Sequence, residues 1–579
     1  MDRRQFIRLS AGAALTPALA RMAGAVPKMP RAIRGKMRAS VKLQPFDYQG
    51  VRLLDGPLQD RMRATREFYL AIPDDDILRG FRRKAGLPAP GRDMGGWCND
   101  TSAVTFGQWL SGMARLSGAT DDAALRDKAA LLMTGWGETL PRQTFGHYDY
   151  DKFVCGLVDM AQYAGHPDAL PLLARLTNWA EQHLSRDRLN ATDADSQGGF
   201  FNGQMEWYTL PENLYRAYLL TGDARYKEFG DVWRYPHYWG MFNGQVNATP
   251  DGFHAYSHVN TLSSAALCYA VTGDPQYLKT ITGAYDYFQR TQCYATGGYG
   301  PGEKLMPPDG ALGESIVVEP NAKYLSGTVG RSFETPCGTW AVFKLTRYLQ
   351  QFTGEAHYGD WMERVLYNGI GAALPMRGRG ETFYYADYRM PDGRKYYFGA
   401  PWPCCSGTYI QDVADFHNIL YYHDDVGLFV NLYVPSEVTW TQHGQPVTLT
   451  QETRYPEEGM VTCAVQMAQP ADFALRFRVP GWAQGTSAQV NGVPVPNFDA
   501  PGAWAVLHRR WRPGDRVTLH IPLSTRPVPI DAQHPQRVAF ARGPVVLVRP
   551  HDSPAPLPTV PFSQVTQDVP YSMYFDAKA

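Results

Sequence analysis

The chain is most informative in what it lacks. Its 579 residues carry no net charge, 56 basic side chains against 56 acidic ones, and only 19% of residues are charged. No basic field exists to gather nucleic acid or an anionic membrane, so neither partner is expected. There is no long polar or low-complexity tract, and 44% hydrophobic residues is a globular composition. No apolar run reaches the roughly 20 residues a membrane-spanning helix requires, so no membrane span is expected. Cysteine is sparse: Cys98, Cys155, Cys268, Cys293, Cys337, Cys404, Cys405 and Cys463 are irregularly spaced. A chain of this length does not need disulfide staples, and the spacing suggests no framework of them.

The N-terminus reads as a segment outside the fold. Met1-Asp2-Arg3-Arg4-Gln5-Phe6-Ile7 is followed by a mostly apolar run, Ala11 to Ala20, and small residues near Ala18-Leu19-Ala20. An arginine pair ahead of a short apolar run predicts a twin-arginine export signal over residues 1–30 and a periplasmic or secreted protein. Such export carries proteins already folded, so thiolates loaded with metal in the reducing cytoplasm could survive it. The remaining length predicts two or three domains. Aromatic content is 13%, with 34 Tyr and 14 Trp, which suits either a sugar-binding cleft or large cores.

Residues 31–425 read as helices of a repeating kind. Ser117-Gly118-Ala119, Ala164-Gly165-His166, Thr221-Gly222-Asp223, Thr272-Gly273-Asp274 and Thr353-Gly354-Glu355 each end an amphipathic stretch. The glycine supplies a left-handed C-terminal cap, and the polar residue after it can open the next helix. Stacked helical hairpins around a common centre follow, and an (α/α)6-type toroid is favoured over an open solenoid. The long Gly- and Pro-rich loops 235–253 and 295–333 are expected to line a site. From residue 426 to 579 the period changes to two, as in Phe473, Leu475, Phe477 and Val479, predicting a β-sandwich region. A strand-like piece from Val41 to Leu54 is expected to pack back onto it. The β-region also offers a surface for a homodimer.

Three constellations could carry chemistry. Phe333-Glu334-Thr335-Pro336-Cys337-Gly338 opens a predicted helix, and Glu334 and Cys337, three apart, can face the same way. Adjacent Cys404 and Cys405 rarely bond to each other, because a vicinal disulfide strains the peptide between them, yet both can reach one metal. One carboxylate and three thiolates make a plausible tetrahedral set for Zn²⁺; buried structural cysteines are the plainer alternative. The third is the glycine-rich loop Thr296 to Glu303, where a carboxylate can approach a substrate closely as general acid/base. Glu314 on the same long loop is its rival. Trp402, with Trp97 and Trp207, is a candidate stacking platform. Asp193 and Asp195 read as a solvated loop, and Cys155, Cys268 and Cys463 as core residues.

From Thr296 to about Tyr433 the chain resembles the bacterial β-L-arabinofuranosidases, family 127 of the glycoside hydrolases. The residues that carry the resemblance are the Gly-Glu loop, Glu334-Thr335-Pro336-Cys337, Glu363-Arg-Val-Leu-Tyr-Asn368, Phe383-Tyr384-Tyr385, Cys404-Cys405-Ser-Gly-Thr and His258-Val-Asn260-Thr261. The Glu-to-Cys spacing is one residue longer than the family's Glu-x-Cys. The resemblance implies a retaining hydrolase of oligo- or polysaccharide glycans, and a toroid with long loops at one mouth suggests that it is exo-acting. Cys404 would be the nucleophile and Glu303 the acid/base, with Zn²⁺ held by Glu334, Cys337, Cys404 and Cys405. It also implies sugar contacts from His258, Glu363 and Tyr385. The competing readings are a toroid hydrolase using two carboxylates and a glycan-binding protein without catalysis.

Overall fold

The structure, a computed structural model, describes residues 35–100, 104–186, 206–317, 332–567 and 569–577. The predicted export signal and the Asp193–Asp195 loop lie outside the described residues. Six helices, Phe106–Thr120, His147–Gln162, Leu210–Thr221, Ala255–Thr272, Thr335–Thr353 and Cys404–Asp415, form an inner ring in which each packs on the next and the last packs on the first. Outer helices back them: Ala123–Gly137, Ala169–His183, Ala224–Val232, Pro275–Thr291 and Gly359–Asn368 follow the first five, and Pro57–Ala71 lies behind the sixth. This is the (α/α)6 toroid expected. A helix flanked on every side has no solvent face, and Thr335 to Gln350 is buried without interruption.

The corners explain the repeat. Gly222, Gly273 and Gly354 adopt left-handed φ of 77°, 72° and 80°. The Thr before each accepts the backbone N–H of the acidic residue after it. Asp223 and Asp274 then cap the next helix by accepting from the N–H of Arg225 and Gln276. The predicted corner at Ser117-Gly118-Ala119 is displaced: the helix runs on to Thr120, Asp121 takes the left-handed position, and Asp122 caps its successor. Aspartate tolerates that conformation because its short side chain can bond locally.

Each outer helix returns the chain, so the six inner helices run parallel. Their N-termini frame a mouth and their C-termini a closed back. The N-terminal segment straps that back. Gly35, Arg38 and Lys42 donate backbone N–H to the carbonyls of Leu219, Ala270 and Gln351, near the ends of three successive inner helices. Three to four extended residues span about 10–13 Å, close to the roughly 8–10 Å between packed helices. The strap continues to Asp47, which accepts from Gln162 and Tyr163. Buried Tyr48 donates to Asp415 and accepts from Arg115.

Two sheets build the β-sandwich. One has the order 44–45, 421–424, 427–430, 471–478, 504–511; the other has 493–495, 487–490, 516–520, 460–467, 445–453, 436–442, 51–53. The N-terminal strands Gln44–Pro45 and Val51–Leu53 thus edge both sheets, as expected for that stretch. Trp440 and Phe473 meet edge to face between the sheets at 5.7 Å. The expected boundary at 425 falls in the turn between strands Tyr421–Asp424 and Gly427–Val430; the last inner helix ends at Asp415. A third sheet, built on strands Thr525–Pro529, Arg537–Arg542 and Val545–Pro550, packs against the helical domain: Asn368 bonds both Pro544 and Val546.

The strap's contribution is measurable. Tyr48→Phe removes the phenol from Asp415 and Arg115, and urea unfolding is expected to show a loss of about 1–3 kcal/mol. Unchanged stability would mean that the strap lies on the toroid without holding it.

Candidate active site

The cysteines meet where two neighbouring inner helices begin. Pro403 occupies the N-cap of helix Cys404–Asp415, so Cys404 and Cys405 are its first two residues. Glu334 ends the short strand Ser332–Glu334 and is the N-cap of helix Thr335–Thr353, with Pro336 and Cys337 in its first turn. The N-cap and third helical positions adjoin in space, as a capping box shows. The longer Glu334-to-Cys337 spacing therefore brings both side chains to one point.

Cys337 Sγ lies 3.5 Å from the sulfurs of both Cys404 and Cys405. Glu334 Oε1 lies 2.8 Å from Cys404 Sγ and 3.5 Å from Cys405 Sγ. From metal bonds of about 2.3 Å to sulfur and 2.0 Å to oxygen, a tetrahedral zinc site has edges of about 3.8 and 3.5 Å. The four donor atoms lie within 4.8 Å of one another, and Glu334 Oε2 is buried without a hydrogen-bond partner among the described residues. This donor set fits a metal ion.

Electrostatics point the same way. Burial, then the charge of Cys404 and Glu303, lifts Glu334 far above the carboxylate range. Burial also lifts Cys337 and Cys405. Burial alone would raise Cys404 too, but hydrogen bonds from Cys337, Cys405, Glu334 and Tyr384 outweigh it and hold its thiol well below normal. Within the cluster, Cys404 is thus the group most readily ionised. Two helix N-termini add partial positive charge there, and a cation would let the remaining groups ionise.

Glu303 faces this cluster. Its loop runs antiparallel to the entry of helix Ala255–Thr272, through the His254–Lys304 bridge. A side chain at Gly300 would place its Cβ 2.1 Å from that of Ala255, so only glycine allows the approach. Glu303 itself has a φ of 62°, a strained conformation for a non-glycine residue. The phenol of Tyr385 donates to its Oε1. His254 Nε2 stands 3.6 Å from Glu303 Oε2 and 3.8 Å from Glu334 Oε2. Tyr384 contacts Cys404 Sγ at 3.3 Å. Adjacent strand residues ordinarily face opposite ways, but the register shifts between Phe383 and Tyr385, and both tyrosines reach the site.

Cys404, Cys405, Cys337, Glu334, Glu303 and Tyr385 thus converge. Glu314 does not: it is exposed on the short helix Ala311–Ser315. His258 is replaced at the site by His254, one turn nearer the mouth on the same helical face. His258 is walled in by Tyr208, Tyr238 and Phe253, and burial holds its imidazole neutral, with a pKa of about 3. Two histidines four apart were visible in the sequence; which one sits at the mouth depended on where the helix starts. Trp402 is core rather than an open platform. Its ring covers Gly380, edges Trp109, and donates to the Met94 carbonyl. Glu363 lies at the interface between domains, fully buried against Arg478 at 2.7 Å, and accepts from Tyr455 and Trp482. Tyr384 and His254 also reach the site, and no pattern of residues assigned either a role.

A model of the glycoside hydrolase family 127 catalytic domain, beta-L-arabinofuranosidase, matches residues 50–418, and the family's middle-domain model matches 427–523. The chain belongs to family 127. A crystal structure of a family 127 beta-L-arabinofuranosidase from Geobacillus stearothermophilus T6 superposes with a TM-score of 0.67 at 19% identity, covering 91% of this chain and 100% of that one. Another family 127 beta-arabinofuranosidase structure gives 0.67 at 20% identity, covering 88% and 86%. These likenesses establish the fold. A non-reducing end beta-L-arabinofuranosidase of Bifidobacterium longum is 25% identical over 232 residues, 36% of this chain and 34% of that protein, so the match spans about a third of that relative's length.

The placement of Glu363 makes a prediction. Glu363→Ala leaves Arg478 charged and buried without this partner, and denaturant unfolding is expected to show a loss of about 3–5 kcal/mol. The folded fraction should keep its KM. A raised KM at unchanged stability would return Glu363 to the sugar site.

Proposed function

We propose that the protein is a zinc-dependent retaining glycosidase that releases β-L-arabinofuranosyl units from the ends of glycans. The carrying observation is that the sulfur of Cys404, beside three further metal-ligating groups, and the carboxylate of Glu303, on a strained backbone, converge at the same mouth of the toroid. The name of the Bifidobacterium relative supports the sugar and the terminal action.

In this reading Cys404 Sγ attacks the anomeric carbon while Glu303 gives its proton to the departing glycosidic oxygen, leaving a thioglycosyl enzyme. Glu303 then takes a proton from water, the water oxygen bonds to the anomeric carbon, and the carbon–sulfur bond breaks. This is the two-step scheme of retaining glycosidases with a thiolate replacing one carboxylate. Tyr384 holds the Cys404 sulfur in place, Tyr385 orients Glu303, and His254 spans the gap between Glu303 and Glu334. Glu334, Cys337, Cys404 and Cys405 would hold zinc, whose charge would keep the sulfurs deprotonated and temper their basicity. The twin-arginine pattern read at residues 1–30 supports a periplasmic or secreted location for this activity.

Three measurements test the proposal. Elemental analysis of protein purified without added metal should find one zinc per chain, lost in Cys337→Ala. Cys404→Ser should abolish turnover of aryl β-L-arabinofuranosides; full retention would sink the thiolate mechanism in favour of a carboxylate pair. Glu303→Gln should lower kcat by about 10²- to 10⁴-fold, with the smallest loss on substrates whose leaving group needs no proton.

A further inference from the structure

The wall of the mouth facing the cysteine cluster carries charge that the two-step displacement does not use. Three places around the ring from helices Thr335–Thr353 and Cys404–Asp415 stand His147–Gln162 and Leu210–Thr221. At their mouth ends lie Tyr148, Lys152 and Glu206, with 6%, 4% and 4% of their surface exposed. Lys152 Nζ bridges Asp151 Oδ2 at 2.9 Å and Glu206 Oε2 at 3.1 Å, and sits 4.4 Å from the centre of the Tyr148 ring. Asp151 is fully engaged, accepting also from Thr209 and Asn213. Glu206 is held at a left-handed φ of 56° just before its helix.

Two polar groups on this wall are unspent. The Tyr148 hydroxyl is buried without a hydrogen-bond partner among the described residues. Glu206 Oε1 likewise has no bond to a described residue, its only side-chain contact being Oε2 to Lys152. Polar groups are rarely buried unsatisfied, so the Tyr148 hydroxyl calls for a ligand at the mouth. Burial first, then the charge of nearby Glu206 and of Cys404 across the mouth, hold the Tyr148 phenol protonated.

We propose that Tyr148 and Glu206, braced by Lys152, are the specificity wall of the sugar site: they read hydroxyls of a neutral sugar and reject uronic acids. This rests on the mouth being a glycosidase site. A sugar hydroxyl can donate to Glu206 Oε1 and accept from Tyr148 at once, whereas a carboxylate can only accept. Lys152 cannot rescue a carboxylate, because two carboxylates already share it and the trio keeps one negative charge. The Glu206 charge would therefore face that of a uronate with little water between them.

The test is calorimetric binding of L-arabinose, D-galactose and D-galacturonate to the full chain and to Tyr148→Phe and Glu206→Gln, each checked for folding by circular dichroism. Free sugars need no turnover. The wild type should bind the neutral sugars and favour galactose over galacturonate by at least about 10-fold. Tyr148→Phe should weaken neutral-sugar binding by about 5-fold and Glu206→Gln by about 10- to 100-fold. Glu206→Gln should also narrow the galactose-to-galacturonate ratio, which a merely structural role would not do. Equal wild-type affinity for galactose and galacturonate, no binding of any neutral sugar, or variants within twofold of wild type would each overturn the proposal. Binding of galactose but not L-arabinose, with the variant effects intact, would keep the wall and overturn the arabinofuranoside assignment instead.

Discussion

The mouth of this toroid is organised by the difficulty of gathering three sulfurs and a carboxylate where water does not reach. Four such groups cannot all ionise at separations of 3–4 Å without a compensating cation. The fold answers in part with backbone: Cys404 and Cys405 open one helix, and Cys337 sits in the first turn of its neighbour, so partial positive charge from two helix ends falls on the sulfurs. That favours ionisation of Cys404, whose thiol is held well below normal by the hydrogen bonds around it. A bound cation would complete the compensation and turn a costly cluster into a nucleophile fixed in place.

The same parallel helices create the opposite problem at the other end, where six C-termini converge. Donors and cations collect there. The strap brings backbone N–H groups to the carbonyls of Leu219, Ala270 and Gln351. Arg115 and Arg216 bind Asp159, and Arg115 and Arg347 approach Asp415, all from the later turns of inner helices. Cations near helix C-termini complement the macrodipole. The helix dipoles thus give the toroid axis a direction, with N-termini at the mouth and C-termini at the strapped back, where the arginines are paired with aspartates. Chemistry that needs a stabilised anion belongs at the mouth.

Local signals in the sequence were reliable where a residue's own conformation decides the outcome. The Thr-Gly-Asp corners required left-handed glycines and capping carboxylates, and they gave the helical hairpins. The strand-like piece from Val41 to Leu54 does pair with the sandwich, as two short strands. Adjacency and three-residue spacing brought Cys404, Cys405, Cys337 and Glu334 to one candidate site, because helix starts place such residues together. What failed needed tertiary knowledge. Glu363 on an outer helix looks alike whether it faces a sugar or an arginine more than 100 residues later, and only packing reveals Arg478. Trp402 owes its burial to Gly380. His254 and His258 are separated by one turn, and the choice between them rests on a helix boundary, the least certain feature of any sequence reading. Tyr384 required a strand irregularity that no residue pattern announces.

The position of Glu303 connects the remotest part of the chain to the chemistry. Its loop is glycine-rich and the residue itself is strained, so the conformation persists only if the surroundings over-determine it. Much of that support comes from outside the mouth. Trp361, on an outer helix, donates to the Gly297 carbonyl, and Tyr574 accepts from Ala295 N–H. The buried Lys395 Nζ spans from the Ala372 carbonyl to those of Phe562 and Val565, and Gly393 pairs with Tyr571, tying the C-terminal sheet to the hairpin that carries Tyr384 and Tyr385. That sheet begins at Thr525, just past the residues matched by the middle-domain model. Its strands reach back to the Glu303 loop and to the paired tyrosines, while the sandwich anchors the outer helices through Arg478. The segment beyond the two family domains therefore acts as a buttress for the proposed acid/base, and the strain at Glu303 is balanced by contacts made some 270 residues away in sequence, Ala295 to Tyr574 being 279 apart.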